Sequence, residues 1–252
     1  MFWRAFACEG PPSLYYDRPV VYHGMRTTKE KLLSKKNENV KENRKLEKEH
    51  HLLFNTIAPI YGLFFRRQKR KFSEVLQRVQ PELDLSNFKT ILDVGCGTGA
   101  LCSVLQGIGL EVTGIEPAEK MLGIAKRKTK GQDIHLMQAN VLEGLPFEKN
   151  SFDIAIASYV AHGLLLEERK RLYKEMGRVT KEHVVIYDYN QKRSVLTSFV
   201  EWMEGGDYFR FIKGAEKEMK GCVTELKSCF SEVRVINVDV RAAWYICTPL
   251  QE

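Results

Sequence analysis

Leu92-Asp93-Val94-Gly95-Cys96-Gly97-Thr98-Gly99 is the stretch that decides the fold. The residues leading into it, Thr90-Ile91-Leu92-Asp93-Val94, make a short apolar run of the kind a buried strand requires. Glycines then let the backbone turn tightly and come close to a ligand, and a helix pattern starts at once. The alternation continues outward. Glu111-Val112-Thr113-Gly114-Ile115 predicts a second strand, Ile134-His135-Leu136-Met137 a third, residues 152–157 a fourth and residues 183–187 a fifth. Helix patterns lie between them, clearest at Leu165, Arg169, Leu172, Met176 and Val179. Strands alternating with helices pair in parallel through crossovers, which predicts a doubly wound α/β sheet. The end of the chain differs. Residues 233–236 and 244–247 are too close together for a crossover, so they predict an antiparallel hairpin.

Upstream of the strands, Leu52-Leu53-Phe54, Ile57, Ile60, Leu63 and Phe64 begin the apolar content. Phe72, Val75, Leu76 and Val79 come next at helical spacing and stop at Pro81, so two helices are expected, split near Pro59 and Gly62. Residues 27–49 are charged and nearly free of large apolar side chains, too polar to fold alone. The organisation read from this is a basic, partly disordered arm over 1–50, a helical cap over 51–85 and an α/β domain over 86–252. Met25 and the Lys/Glu-rich stretch after it resemble a bacterial start, which makes residues 1–24 read as an upstream extension or a disordered leader.

The formal charge is +7 with a pI near 9.0, which favours acidic partners such as nucleic acid, anionic lipid or a phosphorylated substrate. Much of the excess sits between Arg26 and Lys48 and in Arg66-Arg67-Gln68-Lys69-Arg70-Lys71, where a basic surface helix or tail accounts for it. The six cysteines form no CxxC pair and no His-Cys cluster at metal-ligand spacing, so no metal site is expected and a reducing compartment is. Cys96 and Cys247 read as small packing residues. No apolar stretch approaches the roughly 18 residues needed to span a bilayer, and residues 1–14 lack the apolar run of a secretory signal. The expected location is cytoplasmic.

The glycine loop is GxGxG, one residue short of the dinucleotide GxGxxG, and Asp93 would repel a pyrophosphate. A plain dinucleotide oxidoreductase is therefore disfavoured, whereas a sulfonium cofactor with an ammonium group meets no such objection. Asp93-Val94-Gly95-Cys96-Gly97-Thr98-Gly99 resembles motif I of the class I S-adenosylmethionine-dependent methyltransferases. Glu116 stands about twenty residues on, where the family's acidic residue accepts both ribose hydroxyl hydrogens; a helix-capping or solvent-facing carboxylate is the alternative reading. Pro117 and the helix start Ala118-Glu119-Lys120-Met121-Leu122 resemble the segment after that acidic residue in the family. Gln138-Ala139-Asn140-Val141 resembles the segment that clasps the adenine, with Asn140 where many relatives have Asp. Residues 152–158, ending at Ser158, resemble motif IV, whose end faces the transferring methyl. The resemblance covers about 88–248 and implies a Rossmann-like fold.

Phe54-Asn55-Thr56-Ile57-Ala58-Pro59-Ile60-Tyr61 resembles the lead-in of the ubiquinone/menaquinone-biosynthesis type within methyltransferase type 11. In that type the Tyr reaches the methionine end of the cofactor, a role carried over to Tyr61; a helix-packing tyrosine is the other reading. The resemblance thus implies cofactor contacts from Tyr61, Asp93, Gly95, Cys96, Gly97, Gly99, Glu116, Pro117, Met121, Asn140, Val141 and Ser158. If the acceptor carries a proton, a base helps, and His162 at the mouth of the fourth strand is the candidate, with Tyr159 second. Residues 205–211 read as an apolar lid or as a helix docked on the sheet. The expected function is metal-independent methyl transfer to a small or lipophilic acceptor. The alternatives are a nucleic-acid methyltransferase, which lacks here the Asn/Asp-Pro-Pro-aromatic signature, and a non-catalytic cofactor-binding module.

Overall fold

The computed structural model describes residues 62–190, 221–240 and 242–250. Among these residues, helix α1 (Phe65–Val79) precedes a 3-10 turn (Leu85–Asn87) that leads into β1 (Thr90–Val94). The chain continues through α2 (Ala100–Gly107), β2 (Glu111–Ile115), α3 (Glu119–Lys128) and β3 (Ile134–Met137). Next come β4 (Phe152–Ser158), α4 (Leu166–Val179) and β5 (Thr180–Tyr189), then α5 (Cys222–Lys227), β6 (Phe230–Asn237) and β7 (Ala242–Pro249).

Among the described residues, seven strands form one sheet in the order β3-β2-β1-β4-β5-β7-β6. The first five pair in parallel, and β7 pairs antiparallel with both β5 and β6. The sheet is thus α/β and Rossmann-like, closed by the expected antiparallel pair. Strand order reverses between β1 and β4, and the loops leaving the carboxyl ends of these two strands make the crevice where such sheets bind ligands.

Alternation along the strands sorts the core into two layers. Leu92, Val94, Ala155, Ala157, Val184 and Ile186 face one layer, where Leu172, Tyr173 and Met176 of α4 and Leu226 of α5 pack. Ile91, Ile154, Ile156 and Val185 face the other, filled by Val75 and Val79 of α1 and Leu101 and Leu105 of α2. Because β1 and β4 are covered on both faces, they read as continuous apolar runs in the sequence.

Two residues of the α4 pattern differ in burial. Leu165, counted in the α4 periodicity, is the N-cap and 45% exposed; its backbone N–H donates to Glu168 Oε2 at 2.8 Å. Arg169, on the same apolar face, is buried because Glu225 of α5 accepts from its Nε and Nη2 at 2.8 and 2.9 Å. A bidentate pair satisfies a guanidinium that burial would otherwise make costly. The arm, Tyr61 and residues 205–211 lie outside the described residues.

Candidate active site

The glycine loop is held against the end of β2: the backbone N–H groups of Gly95 and Cys96 both donate to the Ile115 carbonyl at 2.9 Å. Gly95, at φ +71°, packs so closely under the β4 loop that a Cβ would stand 2.7 Å from Val160 Cγ2. Gly97, at φ +56°, has nothing within 4 Å of its Cβ direction. A backbone kept open on that side leaves room for a ligand to approach. Gly99, also at positive φ, packs the start of α2 onto Thr129 and Ala125.

Glu116 comes directly after β2 and is 7% exposed. Its Oε2 accepts the Gly97 N–H at 3.0 Å and its Oε1 accepts the Ala118 N–H at 2.9 Å. The carboxylate bridges the glycine loop and the start of α3, and each oxygen keeps a lone pair for a further donor. Burial pushes its pKa up, partly offset by the two N–H groups. Pro117 is half-buried, and Met121 is buried in a small cluster with Ala118 and Ile124.

Asp93 sits beneath the same loop, 1% exposed. Its Oδ2 accepts the Cys102 thiol at 3.1 Å, and its Oδ1 has no hydrogen-bond partner. Burial raises its pKa to about 7, the thiol hydrogen bond opposes this, and the negative charge of Glu116 adds to it. At the end of β4, the Ser158 Oγ is likewise buried and unpartnered. Two carboxyl groups and two orphaned oxygens beside an open glycine suit a polar, cationic ligand better than an anionic one.

Asn140 caps the turn after β3: its Oδ1 accepts the Leu142 N–H at 3.0 Å and its Nδ2 donates to Glu143 at 3.1 Å. Val141 is buried in the core layer below it.

Beyond β4 the chain turns at Tyr159, a non-glycine residue at φ +56°. Its hydroxyl donates to the Tyr187 hydroxyl at 3.2 Å, and burial, with the Tyr187 interaction second, pushes the phenol well above its usual range. Tyr159 is thus placed as a hydrogen-bond donor to Tyr187. His162 lies on the next turn, with its Nδ1 2.9 Å from Asp188 Oδ1. Asp188, at the end of β5 and fully buried, also accepts the backbone N–H groups of His162 at 3.1 Å and Tyr189 at 2.8 Å. A carboxylate ringed by N–H donors accepts, so Nδ1 donates and the basic lone pair of the neutral ring falls on Nε2. Tyr159 and Tyr189 meet the imidazole edge to face, at 6.4 and 5.0 Å.

The structure thus brings Asp93, Gly95, Cys96, Gly97, Gly99 and Glu116 together around one loop, and sets Ser158, Tyr159 and His162 on the neighbouring strand end. Asp188 was not singled out in the sequence; its signal is an acid closing the apolar run of β5 at the carboxyl edge of the sheet. Gln68 of α1 was also missed, and its Oε1 accepts the Thr98 hydroxyl of the glycine loop at 2.8 Å.

Residues 92–187 match the family model described as a methyltransferase domain. The likeness to a methyltransferase domain is carried by this stretch. Among curated proteins, the domain region is similar to the demethylmenaquinone methyltransferase of Oceanobacillus iheyensis, at 30% identity over 155 residues, 55% of this chain and 63% of that one. It is similar also to the demethylmenaquinone methyltransferase of Staphylococcus aureus, at 33% identity over 144 residues, 54% of this chain and 56% of that one. The chain thus spans less than two thirds of the length of either relative. Among solved structures, a Methanococcus maripaludis protein assigned to the S-adenosyl-L-methionine-dependent methyltransferases shares the fold, with a TM-score of 0.63 and 15% identity over 79% of this chain and 94% of that one. The methyltransferase class takes S-adenosylmethionine as cofactor. The donor set fits it: Glu116 offers acceptors for ribose hydroxyls, open Gly97 permits close approach, and Asp93 favours a cation.

Proposed function

We propose that this chain transfers a methyl group from S-adenosylmethionine to a small or lipophilic acceptor, with a quinone-type ring as the class suggested by the demethylmenaquinone methyltransferase relatives. The observation that carries the reading is Glu116, a buried carboxylate spanning the open glycine turn and the start of α3. When bound, S-adenosylmethionine supplies a methyl group on a positively charged sulfur. Glu116 holds the ribose, the glycine loop lines the methionine side, and Asp93 offsets positive charge. Asn140 and Val141 border the adenine, with Asn140 Oδ1 keeping a lone pair beyond its Leu142 hydrogen bond. An acceptor loses one proton for each methyl it gains by direct displacement. His162 takes that proton on Nε2 while Asp188 fixes the ring. Positioning and exclusion of water supply the rest of the rate.

The unpaired thiols of Cys96, Cys102, Cys222, Cys229 and Cys247 support a reducing, cytoplasmic setting. Among the described residues, no helix is long and apolar enough to cross a membrane.

Calorimetric titration with S-adenosylmethionine, S-adenosylhomocysteine and NAD tests the reading. Micromolar binding of the first two, without NAD, is the expected result. Binding of NAD alone would overturn it, and binding of nothing would leave a non-catalytic domain.

A further inference from the structure

The cations of Arg66-Arg67-Gln68-Lys69-Arg70-Lys71 occupy the start of α1 and take no part in the site described above. Helix α1 turns Phe65, Val75 and Val79 inward. Arg66, Arg67 and Arg70 lie on its exposed side. Immediately before the helix, Leu63 is 81% exposed and Phe64 48%. A second element adds to this surface. The Phe65 ring is flanked by Lys69 Nζ at 6.0 Å and by Lys128 Nζ, from the last turn of α3, at 5.9 Å. Lys126 and Arg127, beside Lys128, are exposed as well. Two helices therefore gather positive charge around one aromatic ring, with two large apolar side chains at the margin.

Little of this charge is neutralised locally. Arg70 has an exposed Glu74 at 3.9 Å and Lys71 pairs with Asp239, while Arg66 and Arg67 have no acidic partner among the described residues. The surface also borders the site. Gln68, within the basic run, bonds Thr98 of the glycine loop, and Gly62 approaches Ile124 of α3, where an added Cβ would stand 3.3 Å from Ile124 Cγ2.

We propose that this surface docks on an anionic lipid bilayer. Arg66, Arg67, Arg70 and Lys128 face the headgroups, and Leu63 and Phe64 enter the boundary with the acyl chains. Charge alone would serve a nucleic acid equally well. The exposed leucine and phenylalanine decide for lipid, because hydrocarbon rewards their removal from water and a sugar-phosphate backbone does not. Such docking is independent of methyl transfer, yet it gives that reading a consequence: a lipophilic acceptor would leave the bilayer one helix away from the glycine loop.

The test is co-sedimentation of the full chain with phosphatidylcholine vesicles, with and without phosphatidylglycerol, alongside titration of a duplex oligonucleotide at the same salt. Each cation near the surface strengthens binding about fivefold, so the combined Arg66→Glu, Arg67→Glu and Arg70→Glu variant should lose well over tenfold in vesicle affinity. Unchanged near-ultraviolet circular dichroism would show that the variant is folded; a misfolded variant is replaced by the milder triple Gln substitution. The Leu63→Ser, Phe64→Ser variant should lose affinity even at high salt, where charge is screened. Binding that ignores phosphatidylglycerol, or a charge variant that binds like the parent, overturns the proposal. Tighter binding to the oligonucleotide than to vesicles overturns it in favour of nucleic acid. Full retention by the Leu63/Phe64 variant removes the insertion of these side chains from it.

Discussion

Asp188 holds His162 twice, taking the imidazole Nδ1–H on Oδ1 at 2.9 Å and the backbone N–H of the same residue on Oδ2 at 3.1 Å. Ring and main chain are thereby fixed by one carboxylate from the neighbouring strand, which is how a base is kept in a single tautomer. Asp188→Asn preserves shape but can present an amide N–H to Nδ1, which turns the lone pair to the wrong nitrogen. The expected outcome is a fall in kcat of about tenfold to a hundredfold with KM nearly unchanged, and His162→Ala should cost about 10²–10⁴ in kcat. Steady-state kinetics on both variants check this, with cofactor affinity measured in parallel. Unaltered kcat in His162→Ala would remove it as the base.

Glu116→Ala removes the acceptor for two backbone N–H groups and for the ligand's hydroxyls together. Hydrogen bonds to a charged group are worth about 1.5–3 kcal/mol each, so cofactor affinity should drop at least tenfold to a hundredfold. Glu116→Gln should fall between, because its one carbonyl oxygen can keep only part of the network. Calorimetry gives the affinities and thermal melting shows whether the fold survives. Equal affinity in parent and Ala variant would place the ribose elsewhere.

The strands and the glycine loop were legible because burial on both faces leaves a run such as Ile91-Leu92 with no polar alternative, and because the turn needs glycines. The full length of β5 was not. It starts directly at the end of α4, where the Thr180 hydroxyl donates to the Met176 carbonyl at 2.7 Å, so no turn residue marks the boundary. Strand β6 is an edge strand with a mostly exposed, polar pattern, and only its apolar middle was visible. His162 could be placed from its distance to Ser158, but its partner could not. Asp188 comes from a strand that only folding brings alongside β4, through the Ser158–Tyr187 register.

Glycines that look alike in the sequence should respond differently to substitution. A Cβ at Gly114 would stand 2.7 Å from Leu136 Cδ2 and 2.8 Å from Cys102 Sγ, inside the sheet layer. Gly114→Ala should therefore destabilise by about 1–3 kcal/mol through overpacking. Gly97→Ala meets no neighbour and should cost only the positive-φ penalty of about 1–2 kcal/mol. Its methyl would stand in the open turn, so cofactor affinity should fall far more than stability. Denaturant unfolding and calorimetry on both variants separate the two effects. A Gly97→Ala protein with parental affinity would show that the ligand does not approach this turn.

Asp93 makes the site sensitive to pH in a direction that can be worked out. Burial raises its folded pKa to about 7, so between its ordinary value and about 7 the folded protein keeps a proton that the unfolded chain has lost. Stability from this group is present at low pH and falls by about 4 kcal/mol as pH rises through that window. Binding of a cation runs the other way, because the ionised carboxylate is the form that attracts it. Below about pH 7 the proton must leave first, so S-adenosylmethionine affinity should rise by up to tenfold per pH unit and level off above. Asp93→Asn should flatten that slope and make the free protein more stable near neutral pH, because no buried charge then forms. Calorimetric titrations across the range, with melting curves of the free protein, measure both. An affinity slope that persists in Asp93→Asn would assign the proton to another group.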